Sequence, residues 1–249
     1  MAGIQLIVGD KAAEFRAIQL LSVAVSEALP LLERLGIQGS PRWVVGPLLM
    51  AASHNLALPA RSGPDPPLEV LAVSARNTFE IWLRLLHVLA SEENRQAWRD
   101  ENLTDQLEVY DAILALETPD SPKEAKAAVL AEVDRVTQLA ASRGINRRKK
   151  LMSGHALAKA TGHEAEYDAF WKLYSKLVHP SSWTVNSPSS VSAPMYRMTL
   201  TANAQVYGRE ILKAVEKEFG VSSDACYASA VARVAADGAT GATATRLVQ

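Results

Sequence analysis

The chain holds a single cysteine, Cys226, among its 249 residues. That excludes an intramolecular disulfide and points to a reducing compartment. Excess charge is lacking too. Lysine and arginine number 26 against 27 acidic side chains, a formal net charge of −1. No global field therefore draws in nucleic acid or an anionic membrane, and any such binding has to be local. The first ten residues, Met1 to Asp10, lack the basic start and long apolar run of a secretory leader. No stretch of about twenty residues is both apolar and free of charge, so no membrane span is expected. Metal-ligand spacing is missing: His54, His155 and His163 form no H-E-x-x-H pattern and no paired cysteines exist, so neither metal nor cofactor is expected. The phosphate loop G-x-x-x-x-G-K does not occur, and no strand precedes any glycine cluster. Alternating strand patterns are scarce. With 48% apolar and 21% charged residues, the balance is that of a soluble globular protein, and the expectation is a cytoplasmic one.

What is present is helical periodicity. Ala12 to Leu35 repeats Phe15, Ile18, Leu21, Val25, Leu29 and Leu32 at helical spacing, with Pro30 as a possible kink or division and Gly36 as the stop. Ser40-Pro41 reads as an N-cap with proline in the first turn, opening a helix to about Leu58 that Pro47 interrupts. Leu68 to Ala90 is apolar almost all round, the mark of a central helix. Ser91 to Leu116 starts polar and turns helical near Asn102. Ser121 with Glu124 suggests a capping box for a helix reaching about Ala141. Ser142 to Lys150 is a basic linker. Leu151–Ala160, Glu164–His179, Met195–Phe219 and Ser222–Ala236 read as further helices, with Ser181–Pro194 a loop rich in serine and proline. The fold class is all-α, one helical domain over 1–236 with a flexible tail over 237–249.

Two polar pairs stand out against this apolar background. Tyr167 to Trp183 reads Y-D-A-F-W-K-L-Y-S-K-L-V-H-P-S-S-W. Pro180 ends its helix at His179, and Ser175 and His179, four apart, share one face with Trp171 a turn earlier. In the Leu68–Ala90 helix, Arg76, Glu80, Arg84 and His87 form one polar stripe. Arginine and glutamate are rarely fully buried unless paired, so the stripe needs partners or faces a cleft. Arg76 and Glu80 read equally as a self-neutralising ion pair and as an anion-binding arginine with an orienting carboxylate. His179 reads as a helix cap favoured by the dipole or as a general acid or base. Taken alone, Ser175 and His179 favour the capping role. The basic residues Arg143, Arg147, Arg148, Lys149 and Lys150 read first as a solvated loop and second as contacts to a phosphate backbone. Trp43, Phe79 and Trp82 read as core.

The sequence R-x-x-x-E (Arg76, Glu80), followed downstream by Ala158, Gly162 and Tyr167 and then by Y-S-x-x-x-H-P (Tyr174, Ser175, His179, Pro180), resembles a family of uncharacterised bacterial all-helical proteins known only as a domain of unknown function. That family is distantly similar to the HEPN superfamily. The resemblance spans about Leu48 to Ser182. It implies a HEPN-like helical core with added N- and C-terminal helices, a possible homodimer, and an activity on RNA or a nucleotide in phage defence or a toxin-like role. HEPN ribonucleases carry arginine and histidine at R-x(4–6)-H spacing in one helix. Here Ile81, Trp82 and Leu83 stand where that histidine would fall.

The expectation is therefore that the two helices pack side by side and bring Arg76, Glu80, Ser175 and His179 into one catalytic site. Arg76 would stabilise charge on phosphorus and His179 would move the proton. Tyr174, Arg84, Arg147 and Arg148 would bind the substrate. Two alternatives stay open. The same residues could form a closed polar network with a structural role, or a pocket in the bundle core could serve a small-molecule enzyme.

Overall fold

A computed structural model describes residues 6–36, 40–63, 65–116, 118, 122–145, 152–179, 181–187 and 194–239, with side chains omitted at 40, 41 and 237–239. Among the described residues it is all-α, with ten helices and no strand. They are α1 (Lys11–Arg34), α2 (Ser40–Arg61), α3 (Leu68–Ala90), α4 (Glu92–Ala115), α5 (Lys123–Ser142), α6 (Gly154–Ala160), α7 (Glu164–Val178), α8 (Ser182–Asn186), α9 (Pro194–Phe219) and α10 (Ser223–Ala239).

The apolar character of α3 translates into position. It packs against α2, α4, α6, α7 and α9 and so runs through the middle of the molecule. Leu71, Ala75, Phe79, Leu83 and Leu85 on it are fully buried in the main core. Helix α1 is long and apolar enough to cross a membrane by length and composition. Its apolar side is covered here by α2, α9 and α10. Two buried polar residues tie the segment before α1 to the bundle. Glu14 accepts from the Gly9 N–H at 2.6 Å and the Thr201 hydroxyl at 2.8 Å. Gln205 bonds both the N–H and the carbonyl of Ile7.

Helices α4 and α5 form an antiparallel hairpin with a small core of their own, Leu103, Leu107, Val136 and Ala140. Among the described residues α4 docks this hairpin on the bundle, against α2 and α3. At its far end Ile113 and Leu116 are exposed.

Several sequence expectations need correction. Helix α4 is regular from Glu92, not from about Asn102, because the Ser91 hydroxyl caps the Asn94 N–H at 3.1 Å and Glu92 and Glu93 sit at the positive end of the helix dipole. Neither Pro30 nor Pro47 divides its helix. Both prolines face solvent, where water can satisfy the carbonyl left without its i+4 donor. Helix α5 starts at Lys123 with Pro122 as its cap and no side-chain cap bond; Ser121 lies outside the described residues. Helix α6 starts at Gly154, capped by Ser153. The Ser181–Pro194 loop contains α8, whose capping box joins Ser181 and Thr184. Helix α10 extends to Ala239, three residues into the expected tail, whose remainder lies outside the described residues.

Cys226 is fully buried in the main core. Burial, with the nearby Glu27 carboxylate as a second cause, pushes its thiol up to about 11. The thiolate is the reactive form. Native protein at pH 8 is therefore expected to resist alkylation by iodoacetamide, and unfolding in guanidinium is expected to release one reactive thiol per chain. Mass spectrometry of the alkylated protein reads both states.

Candidate functional site

Helices α3 and α7 do pack side by side, and their register decides what meets. Trp82 lies against His163, ring centroids 4.4 Å apart. Phe79 lies against Tyr167 at 6.2 Å. The Arg76 guanidinium sits over the Trp171 ring, 4.1 Å from its centroid. Each step back along α3 is a step forward along α7, so the pair is antiparallel. Continued by one turn, the same register would set Ser175 level with Ala72; His179 lies beyond the helix, which ends at Val178. Ser175 and His179 thus follow Trp171, the residue under Arg76, by one and two turns in the chain.

Among the described residues, no hydrogen bond or ion pair joins Arg76 or Glu80 to Ser175 or His179. Arg76 is held by Glu80 on its own helix, at 3.1 Å, and by the Trp171 face. Its cationic charge is used in these contacts, worth about 0.5–2 kcal/mol for such a cation–π pair. Ser175 is half-buried and His179 exposed. His179 takes extended geometry as the C-cap of α7 (φ −106°, ψ 145°), as a residue before proline should. Tyr174 faces α9 instead of Arg76. Arg84 turns to α4, where it meets Glu101 at 3.3 Å and lies 4.3 Å over the Trp98 ring. Arg147 and Arg148 lie outside the described residues.

A polar network does exist, built on Tyr174 and on residues the sequence did not assign to a site. The Asn203 amide donates to the Tyr174 hydroxyl at 2.9 Å. The hydroxyls of Tyr174 and Tyr207 are hydrogen-bonded to each other. Tyr207 donates to Glu166 Oε1 at 2.9 Å, which leaves Tyr174 to donate to Tyr207. Glu166 Oε2 is 3.2 Å from His163 Nδ1. One carboxylate thus gathers a buried phenol and a half-buried imidazole, and burial drives both phenol pKa values well above the usual tyrosine range. These hydroxyls remain protonated at any ordinary pH. The chain runs from the core to the surface of α7 and fixes α9 against α7. Close approach of α6 completes the wall. A Cβ on Gly154 would stand 2.8 Å from the Tyr167 hydroxyl oxygen, so any larger residue there obliges the Tyr167 ring to shift.

Removing one hydroxyl tests this network. Tyr207→Phe leaves Glu166 Oε1 and the Tyr174 hydroxyl each short of a partner, at a cost of about 1–3 kcal/mol. Its melting temperature is expected to fall by roughly 2–12 °C, at 2–4 °C per kcal/mol for a chain of this size. Thermal unfolding followed by circular dichroism reads it. A drop under 1 °C would mean the network contributes nothing.

Two open grooves flank α4. The first, of about 480 Å3, lies between the start of α2, the middle of α4 and the end of α5, lined by Trp43, Trp98, Arg99, Asn102, Asp105 and Arg143. Trp43 was expected in the core but is 69% exposed. It sits at the fourth position of α2, on the helix face away from Val44, Val45 and Leu48, which take the buried places. Arg99 and Arg143 are exposed, and their side chains make no ion pair among the described residues. Arg143, the C-cap of α5, is also the first residue of the basic run that continues to Lys150.

The second groove, also about 480 Å3, lies between α2, α3, α4 and α6. Its polar side chains are Asn55, Asn77, Glu80 and Arg84, over an apolar floor that includes Leu83 and Leu157. Trp98 belongs to both grooves. The Arg84–Glu101 pair behind it is 14% exposed on each side. Burial lowers the arginine pKa and raises that of the glutamate, while each partner's charge opposes the shift. Among the described residues no cluster of three or more histidine, cysteine or acidic side chains could hold a metal ion.

This geometry defines an all-α bundle with two open grooves meeting at one tryptophan. No family model, no curated protein and no solved structure matches the chain.

Proposed function

We propose that the protein binds single-stranded RNA or a nucleotide, in the groove between α2, α4 and α5. The observation that carries this reading is the pairing of an exposed Trp43 with Trp98 across an open groove that also holds Arg99 and Arg143, cations without an ion-pair partner among the described residues. Stacking platforms interleaved with cations are what a flexible polyanion with aromatic bases requires. Four further cations, Arg147 to Lys150, follow Arg143 in sequence. They extend the phosphate-binding charge locally although the whole chain is near neutral. The start of α2 adds the positive end of a helix dipole with no acidic residue in its first turn.

The reading is one of binding. Cleavage by Arg76 and His179 would require the two side chains to converge on one phosphate, and the α3–α7 register gives that idea no support. A defence or toxin-like role then belongs to whatever the bound RNA does.

The test is electrostatic. Affinity for a labelled uridine decamer is expected to fall log-linearly with salt, and Arg99→Ala with Arg143→Ala is expected to flatten the slope by about 1.4, at roughly 0.7 per phosphate contact on a single strand. Fluorescence anisotropy at several salt concentrations measures it. An unchanged slope in the double variant removes these cations from the interface.

A further inference from the structure

The groove beside the proposed RNA path carries hydrogen-bonding groups that are only half used. Glu80 Oε1 accepts from Arg76 Nε; its second oxygen has no protein donor among the described residues. Arg84 spends one N–H on Glu101, and a guanidinium has five. Asn77 donates to Asn55 Oδ1 at 2.8 Å, which keeps its own carbonyl oxygen free to accept. Glu80 and Arg84 are four apart on α3, with Cβ atoms about 5–6 Å from each other, and both line the groove. Its volume of about 480 Å3 falls within the roughly 300–1,000 Å3 of small-ligand sites. The floor is apolar and suits a flat ring.

The groove therefore presents an acceptor and, one helical turn away, a donor fork. Guanine is the base whose edge matches: N1–H and the N2 amino group donate side by side, and O6 and N7 accept next to them. Arginine to O6 and N7 is the commonest specific contact to guanine. Adenine offers a lone pair at N1 where Glu80 needs a proton. Uracil has one donor flanked by two acceptors. A site that hydrogen-bonds a donor disfavours the analogue lacking it, because the acceptor then loses that partner.

The geometry points to a guanine-selective base pocket formed by Glu80, Arg84 and Asn77, entered past Trp98 from the strand lying in the Trp43–Arg143 groove. As stated, it rests on the RNA-binding reading. Single strands are read by splaying one base out of the stack and bonding its edge, and Trp98, shared by both grooves, marks where the splayed base would leave the path.

The experiment compares RNA pentamers UUGUU, UUAUU and UUUUU on the full chain, alongside the melting temperature with GMP or AMP. UUGUU is expected to bind about tenfold or more tightly than the other two. A pentamer with N1-methylguanine at the centre, which blocks the N1 donor, is expected to bind no better than UUAUU. Glu80→Gln, with its fold checked by circular dichroism, is expected to shrink the guanine preference to about threefold or less. Equal binding of all pentamers overturns the guanine pocket and leaves the RNA reading standing. Stabilisation by GMP but not AMP, with no pentamer bound, keeps the pocket and overturns the RNA reading. No response to any ligand overturns both. Full preference retained with N1-methylguanine or in Glu80→Gln overturns the assigned contacts.

Discussion

Trp43→Ala is expected to weaken binding of a short single-stranded RNA roughly 5- to 150-fold, the loss of one stacked base at about 1–3 kcal/mol. The same substitution is expected to leave the melting temperature within about 2 °C. Trp43 is 69% exposed, so its truncation opens no cavity, and surface changes of this kind stay within about 0.5 kcal/mol. The separation of the two readouts is the point. A large aromatic left in solvent needs either a partner or no explanation at all, and single exposed apolar residues are common. What singles out Trp43 is its company: Trp98 across the groove, two exposed arginines beside it, and a run of cations that begins in sequence at Arg143. Trp43→Phe, which keeps a ring, is expected to recover most of the affinity. Unchanged binding in Trp43→Ala, measured by fluorescence anisotropy, would reduce the residue to an incidental exposed ring.

Phe79→Ala is expected to cost about 3–5 kcal/mol, among the largest losses any single core truncation gives. That corresponds to a fall of roughly 6–20 °C in melting temperature. Phe79 is fully buried at the crossing of three helices. Its ring lies 4.6 Å from that of Tyr207 on α9, 6.2 Å from Tyr167 on α7 and 6.0 Å from Trp82 on α3 itself. Removing it leaves a void walled by three aromatic rings. Those rings are pinned by the hydrogen bonds of Tyr207 to Glu166 and by the stacking of Tyr167 on Trp171, so the void cannot readily collapse. Phe79→Leu, which keeps most of the volume, is expected to lose less than half as much. Chemical denaturation of both variants measures the difference. Equal losses would mean that volume at this position does not matter.

The helices themselves were legible because each carries an apolar periodicity long enough to read. The bounds of α3 agree with the sequence reading at both ends, Leu68 and Ala90, since a proline precedes it and a serine cap follows. The start of α4 was not legible. Its first five residues, Glu92 to Gln96, are all polar, and only the Ser91 cap and the acidic first turn announce them. The side-by-side packing of α3 and α7 could be expected from their apolar faces. Their register could not. Trp171 and Ser175 are one turn apart on α7, while the helix ends at Val178 and leaves His179 as an extended cap; the antiparallel register is what brings Arg76 to tryptophan. Aromatic contacts at Phe79, Trp82 and Tyr167 set that register, and no short motif encodes it. The Tyr174–Tyr207–Glu166 network was hidden for a related reason: its members come from positions 29 and 41 residues apart, and a tyrosine in an apolar stretch reads as core. Trp43 was misjudged because its neighbours Val44 and Val45 are apolar as well, leaving the exposed face of that turn ambiguous.

Where RNA meets this protein is most directly decided by photocross-linking. A uridine decamer carrying 4-thiouridine would be irradiated on the full chain and the attached peptides mapped by mass spectrometry. The expected result is attachment at Trp43 or Trp98 and at the segment from Arg143 onward, competed away by unlabelled RNA. Attachment confined to the Ser175–His179 end of α7, or none at any protein concentration tested, would contradict the account.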